Sequence, residues 1–119
     1  MEFVFDNNIP IYIQLLEYLK IYLMSGFFKA GDKLPSVRDF ANTFKVNPNT
    51  MQKALGELEE MKLIYTERTN GKYVTKDEKL IEKLKDEYAL TLAKSYFDGM
   101  KKIGLGKADS IKYLERVND

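Results

Sequence analysis

LPSVRDFANTFKVNPNTMQKAL, residues 34–55, packs two helical patterns into one short span, and the second of them opens on polar residues. Ser36 stands three residues before Asp39, a capping-box spacing with Asp in place of the usual Glu or Gln. A helix over 37–44 follows from it, burying Val37, Phe40, Ala41 and Phe44 on one side. After Lys45 and Val46, Asn47 offers an N-cap side chain and Pro48 suits the first helical position. The next helix runs to about Met61, because Met51, Ala54, Leu55, Leu58 and Met61 share one face. Asn49, Thr50, Gln52 and Lys53 fall largely off that face. Two short helices joined by a tight turn, with the second helix polar where it begins, is an arrangement that leaves a surface free to meet a partner.

Upstream, Ile11, Leu15, Leu16, Leu19 and Leu23 recur at helical spacing between Pro10 and Gly26, which places a first helix there. FFKAGDKLPS is a connector, with Phe27 and Phe28 expected to pack beneath it. Downstream, LIYTERTNGKYVT changes period, and two short strands around Asn70-Gly71 make a hairpin with a type I′ turn. Past Thr75, a stripe of Ile81, Leu84, Tyr88, Leu92, Tyr96 and Met100, widened by Leu80, Phe97 and Ile103, predicts a helix of about seven turns. Gly104-Leu105-Gly106 breaks it. A last helix over 108–117 is expected to bury Ile111, Leu114 and Val117. The fold class is mainly α with a small β-hairpin: a winged helix-turn-helix domain over residues 1–75 and a two-helix dimerisation tail over 76–119. In such an architecture the third helix enters the DNA major groove and the hairpin serves as a wing.

Composition narrows the chemistry. The 119 residues suffice for one domain and an extension, and 45% hydrophobic with 13% aromatic residues is the make-up of a folded chain. Neither cysteine nor histidine occurs, so disulfides, thiolate chemistry and histidine-based catalysis or metal ligation are excluded. No enzymatic activity, cofactor or metal site is expected, and Glu57, Glu59 and Glu60 read as a solvated helix face. MEFVFDNNIP lacks the features of a signal peptide and no apolar run reaches membrane-spanning length, which points to the cytoplasm and no membrane partner. The net charge is only +1 and is spread evenly, with nine basic and nine acidic residues in 1–75 and ten and nine in 76–119. Binding to DNA therefore depends on where individual charges sit, not on the global field.

LPSVRDFANTFKVNPNTMQKALGELEEMKLI followed by ERTNGKYV resembles the DNA-binding domain of GntR-family bacterial transcription regulators. LPSVR, VNPNT and the short two-helix tail are most similar to the YtrA-type subgroup. The resemblance implies that Arg38 contacts phosphate and base edges, with Ser36 beside the same helix start. It implies that Asn47, Pro48, Asn49 and Thr50 form the turn and recognition-helix entry, that Gln52 and Lys53 lie on the next exposed turn, and that Gly71 and Lys72 form the wing tip. Pro48 and Gln52 replace the arginines of many members, and Thr69-Asn70-Gly71 replaces a common Gly-basic-Gly turn. Fewer cations reach DNA as a result, and Gln52 or Asn49 is suited to adenine edges. The same residues have plain structural uses: Ser36 and Asn47 cap helices, Arg38 could pair with Asp39 or Glu57, and Lys53 and Lys72 could be ordinary surface lysines.

The tail carries more apolar surface than one short helix can cover. Leu84, Tyr88, Leu92, Tyr96, Phe97, Met100, Ile111 and Leu114 are therefore expected to bury themselves in a second copy. The 44 residues beyond Thr75 are too few for a separate effector domain, so any small-molecule effector is left unspecified. The expected function is a homodimeric repressor bound to double-stranded DNA at a palindromic operator, and the resemblance extends to ATP-binding-cassette transporter genes as targets. The alternative is a winged-helix module that binds protein and no DNA, which would have no use for Arg38, Asn49, Gln52, Lys53 and Lys72 on one surface.

Overall fold

The computed structural model describes residues 4–118; the first three residues and Asp119, which the expected domain limits include, lie outside it. Along the chain run α1 (Ile11–Ser25), α2 (Val37–Phe44), α3 (Pro48–Glu60), β1 (Ile64–Glu67), β2 (Gly71–Val74), α4 (Glu78–Lys102) and α5 (Lys107–Glu115). The helix ends are set by local chemistry. Ser36 Oγ accepts the Asp39 N–H at 3.1 Å to start α2, and Asn47 Oδ1 accepts the Asn49 N–H at 2.8 Å to start α3 behind Pro48. Each such cap is worth about 1 kcal/mol. Gly26 closes α1 in the left-handed region at φ 82°, where a side chain would be strained.

The chain divides into two compact units, Met1–Glu82 and Lys83–Asp119. In the first, α1 and α2 both pack on α3. Leu15, Leu19, Tyr22 and Leu23 of α1 meet Phe40, Ala41 and Phe44 of α2 and Met51, Ala54, Leu55 and Leu58 of α3, and Leu63, Ile64 and Val74 close the core beneath the sheet. Phe44 sits among rings, its centroid 5.8 Å from Phe40, 6.1 Å from Tyr22 and 6.3 Å from Tyr18. β1 and β2 are antiparallel with Ile64 opposite Val74 and Glu67 opposite Gly71. The connector adds a third short run to this sheet: Lys33 pairs with Tyr73, Leu34 N–H donates to Lys72 O at 2.8 Å, and Val74 N–H donates to Asp32 O at 2.8 Å.

Four local expectations are corrected. Met61 is 40% exposed, because α3 ends at Glu60 and Lys62, at φ 64°, turns the chain away before Met61 can join the buried face. Val37 is half-buried, at the solvent margin of α2. Phe27 is 62% exposed and lies over Tyr22 (4.6 Å between ring centroids) and Phe28 instead of beneath the connector, while Phe28 turns edge-on to Phe40. The hairpin loop is three residues long, Arg68 to Asn70: Asn70 N–H bonds back to Glu67 O at 3.2 Å, and only Gly71 takes a positive φ, 107°. A hydrogen-bonded turn followed by one left-handed glycine matches the strand twist as a type I′ pair does, with a single strained position.

In the second unit α4 and α5 meet through polar atoms. Tyr96 Oη donates to Ser110 O at 2.7 Å, Ser110 Oγ donates to Gly106 O at 2.7 Å, and Ser110 is the buried residue of α5. The burial expected for Ile111, Leu114 and Val117 does not occur within the chain; they are 51%, 55% and 68% exposed. The left-handed Gly104 and the Tyr96–Ser110 bond fix the rotation of α5, so its apolar residues face outward or line an open groove. Leu92 is also exposed, whereas Leu84, Tyr88, Tyr96, Phe97 and Met100 are half-buried. Among the described residues no helix is long and apolar enough to cross a membrane.

Candidate nucleic-acid interface

The inward residues of α3 dictate its outward ones. With Met51, Ala54, Leu55 and Leu58 against the core, helical geometry turns Asn49, Gln52 and Lys53 to solvent, and all three are exposed, with Thr50 half-buried beside them. Asn47 and Pro48, in the turn, and Ser36 and Arg38, at the start of α2, are exposed as well. Arg38 has no carboxylate partner among the described residues, so neither Asp39 nor Glu57 neutralises it. The Ser36 and Asn47 oxygens are engaged as caps. All of these residues belong to the first compact unit.

Lys53 is not a loose surface lysine. Its Nζ lies 3.8 Å from the centroid of the Tyr12 ring, a cation–π contact worth ~0.5–1 kcal/mol at an exposed site. Ile11, Tyr12, Asn49, Thr50 and Lys53 line one open depression of about 360 Å³ where the start of α1 meets the first turns of α3. Tyr12 was missed by sequence reasoning because its helical position reads as flank; only the packing of α1 on α3 brings it there.

The wing distributes its cations differently from the sequence expectation. Lys72 Nζ lies 3.5 Å from Glu59 Oε1 and 3.0 Å from Thr66 Oγ1, with its side chain only 15% exposed. Thr66 in turn donates its hydroxyl to Glu59. That hydrogen bond, aided by the Lys72 charge and opposed by partial desolvation, holds the Glu59 carboxyl below its ordinary range. Gly71 stands at the loop end, and a Cβ built there would lie 3.7 Å from Lys33 Cε. Lys33, Lys45 and Arg68, which sequence reasoning did not single out, are exposed and have no carboxylate partner among the described residues. Among the described residues no acidic cluster is placed to hold a metal ion.

The tail residues Leu84, Tyr88, Leu92, Tyr96, Phe97, Met100, Ile111 and Leu114 all fall in the second unit. An apolar groove of about 390 Å³ runs between α4 and α5, with Leu90, Phe97, Ile111 and Leu114 among its walls.

Comparison with known proteins agrees with this geometry. Residues 11–74 match the family described as bacterial regulatory proteins, gntR family. The chain is 32% identical over all 119 of its residues to YhcF of Bacillus subtilis (strain 168), an uncharacterized HTH-type transcriptional regulator, covering 98% of that protein. It is 42% identical over 73 residues to the HTH-type transcriptional repressor YtrA of the same organism, a match spanning 61% of this chain and 56% of YtrA. A GntR family transcriptional regulator from Listeria monocytogenes superposes with a TM-score of 0.89 at 41% identity, over 96% of this chain and 100% of that one. With α1 to β2 inside the family match and the exposed polar face of α2 and α3 at its centre, the chain belongs to the GntR family and is a DNA-binding transcriptional regulator, not an enzyme.

Proposed function

We propose that the protein is a homodimeric repressor of the YtrA type, acting in the cytoplasm by occupying a palindromic operator. The observation that carries this reading is the exposed face formed by Arg38, Asn49, Gln52 and Lys53, in which Arg38 keeps an unneutralised guanidinium. With α3 in the major groove, Arg38 binds phosphate at its edge, and Gln52 and Asn49 offer the paired donor and acceptor that suit adenine. The exposed apolar residues of α4 and α5 support a second copy as the tail's partner, since surface of this kind is costly to leave in water. A twofold dimer presents the same α3 twice, which is what a palindrome reads. YtrA is itself a repressor, and the YtrA-type likeness extends the proposal to transporter genes as targets.

Arg38→Ala tests the interface. The variant should fold as the parent does, with an unchanged circular-dichroism melt, and lose ~1–3 kcal/mol of binding to a specific duplex in a fluorescence-anisotropy titration. Undiminished affinity would remove Arg38, and the face built around it, from the interface.

A further inference from the structure

We infer that the DNA-facing cations of the wing are Lys33 and Arg68, and that Lys72 is instead the staple that holds the wing to α3. The inference rests on DNA binding by the first compact unit and deepens it by naming which charges the wing contributes.

Ile64 and Val74 are buried against the core, and side chains two residues along a strand share a face. Thr66 and Lys72, directly paired across the hairpin, therefore point to the same side as Ile64 and Val74, where Glu59 of α3 receives them. The other face carries Tyr65 stacked on Tyr73, with centroids 5.6 Å apart, and the pair Glu67 and Gly71. Lys33 joins that second face through its bridge to Tyr73. Gly71 has no side chain there, and Lys33 Cε lies 3.7 Å from where a Gly71 Cβ would sit, so the stem reaches along this face from Tyr73 to the end of the loop that holds Arg68. Glu67, the acidic residue of this face, is engaged by Asn70 Nδ2 at 3.2 Å.

A lysine adds to DNA binding by neutralising a phosphate and releasing the counterion condensed there. Lys72 and Glu59 together carry no net charge, so a phosphate approaching them gains nothing that Glu59 does not cancel. Lys33 and Arg68 have no such partner among the described residues and can each neutralise one phosphate.

The test uses the full chain in anisotropy titrations over a salt series, against a duplex from upstream of its own gene and a random-sequence duplex. Lys33→Ala and Arg68→Ala should each weaken binding several-fold and flatten the plot of log affinity against log salt by about 0.9. Lys72→Met combined with Glu59→Gln, which removes the ion pair whole and keeps both stems, should leave that slope unchanged and lower the thermal midpoint. Melts of all three variants separate a lost charge from a lost fold. A slope unchanged by either alanine variant, or flattened by the Lys72→Met, Glu59→Gln variant, overturns the assignment. Failure of the parent chain to bind either duplex at low salt is a separate outcome, which overturns the DNA-binding reading and the wing assignment with it.

Discussion

Glutamate at both Leu92 and Ile111 is expected to leave the protein monomeric and to weaken binding to a two-half-site operator by about 10²-fold or more. Linking two modules makes the second binding event intramolecular, and avidity then exceeds single-site affinity by ~10²–10⁴. Both residues are more than half exposed in the single chain, so the substitution costs the folded chain little. In a dimer that buries them, two unpaired carboxylates per subunit enter an apolar contact and must be desolvated without compensation. Sedimentation velocity reads the oligomeric state, and titration with a single half-site reads the module alone. The expected pattern is a monomer with parental half-site affinity and lost full-site affinity. A variant that stays dimeric would show that the tail's apolar surface serves another purpose.

Phe44→Ala is expected to cost the fold about 3–5 kcal/mol, the range for deleting a buried phenylalanine. Phe44 is 1% exposed and fills the junction of α1 and α2, with Tyr18, Tyr22 and Phe40 around it. These neighbours are held by helix backbone and relax only partly into the space, so a cavity penalty adds to the lost transfer energy. Since domains of this size are stable by only ~5–15 kcal/mol, the thermal midpoint should fall by roughly 10–30 °C. Phe27→Ala is the comparison. Although Phe27 touches two rings, it is 62% exposed, and its removal should cost about 1 kcal/mol or less. Equal losses from the two variants would contradict the placement of the core.

The elements legible in the sequence are those whose ends are written in local chemistry. Ser36 with Asp39 and Asn47 with Pro48 mark the starts of α2 and α3 at the positions the structure shows, and Gly26 marks the end of α1. Exposure of Asn49, Gln52 and Lys53 followed from the spacing of Met51, Ala54, Leu55 and Leu58. Tertiary packing decided the rest. Tyr12 reaches Lys53 only because α1 packs on α3, and the connector joins β2 through backbone groups that carry no side-chain signature. The orientation of Lys72 was within reach: Val74 is apolar and two residues on, so parity alone sends Lys72 to the core side. The family resemblance hid this, because it set Gly71 and Lys72 together at the wing tip. For α5, periodicity named the apolar residues but could not say that Ser110 turns inward and they turn out.

Sequence-specific recognition of DNA by the α2 and α3 face is open to direct measurement. Its most direct test is to enrich duplexes from a random-sequence library on the purified protein, then titrate the enriched duplex and a scrambled one of equal composition at two salt concentrations. An inverted repeat should be enriched and bound at least ~1,000-fold tighter than the scrambled duplex, with affinity falling steeply as salt rises. No enrichment, with equal and weak binding to both duplexes, would contradict it.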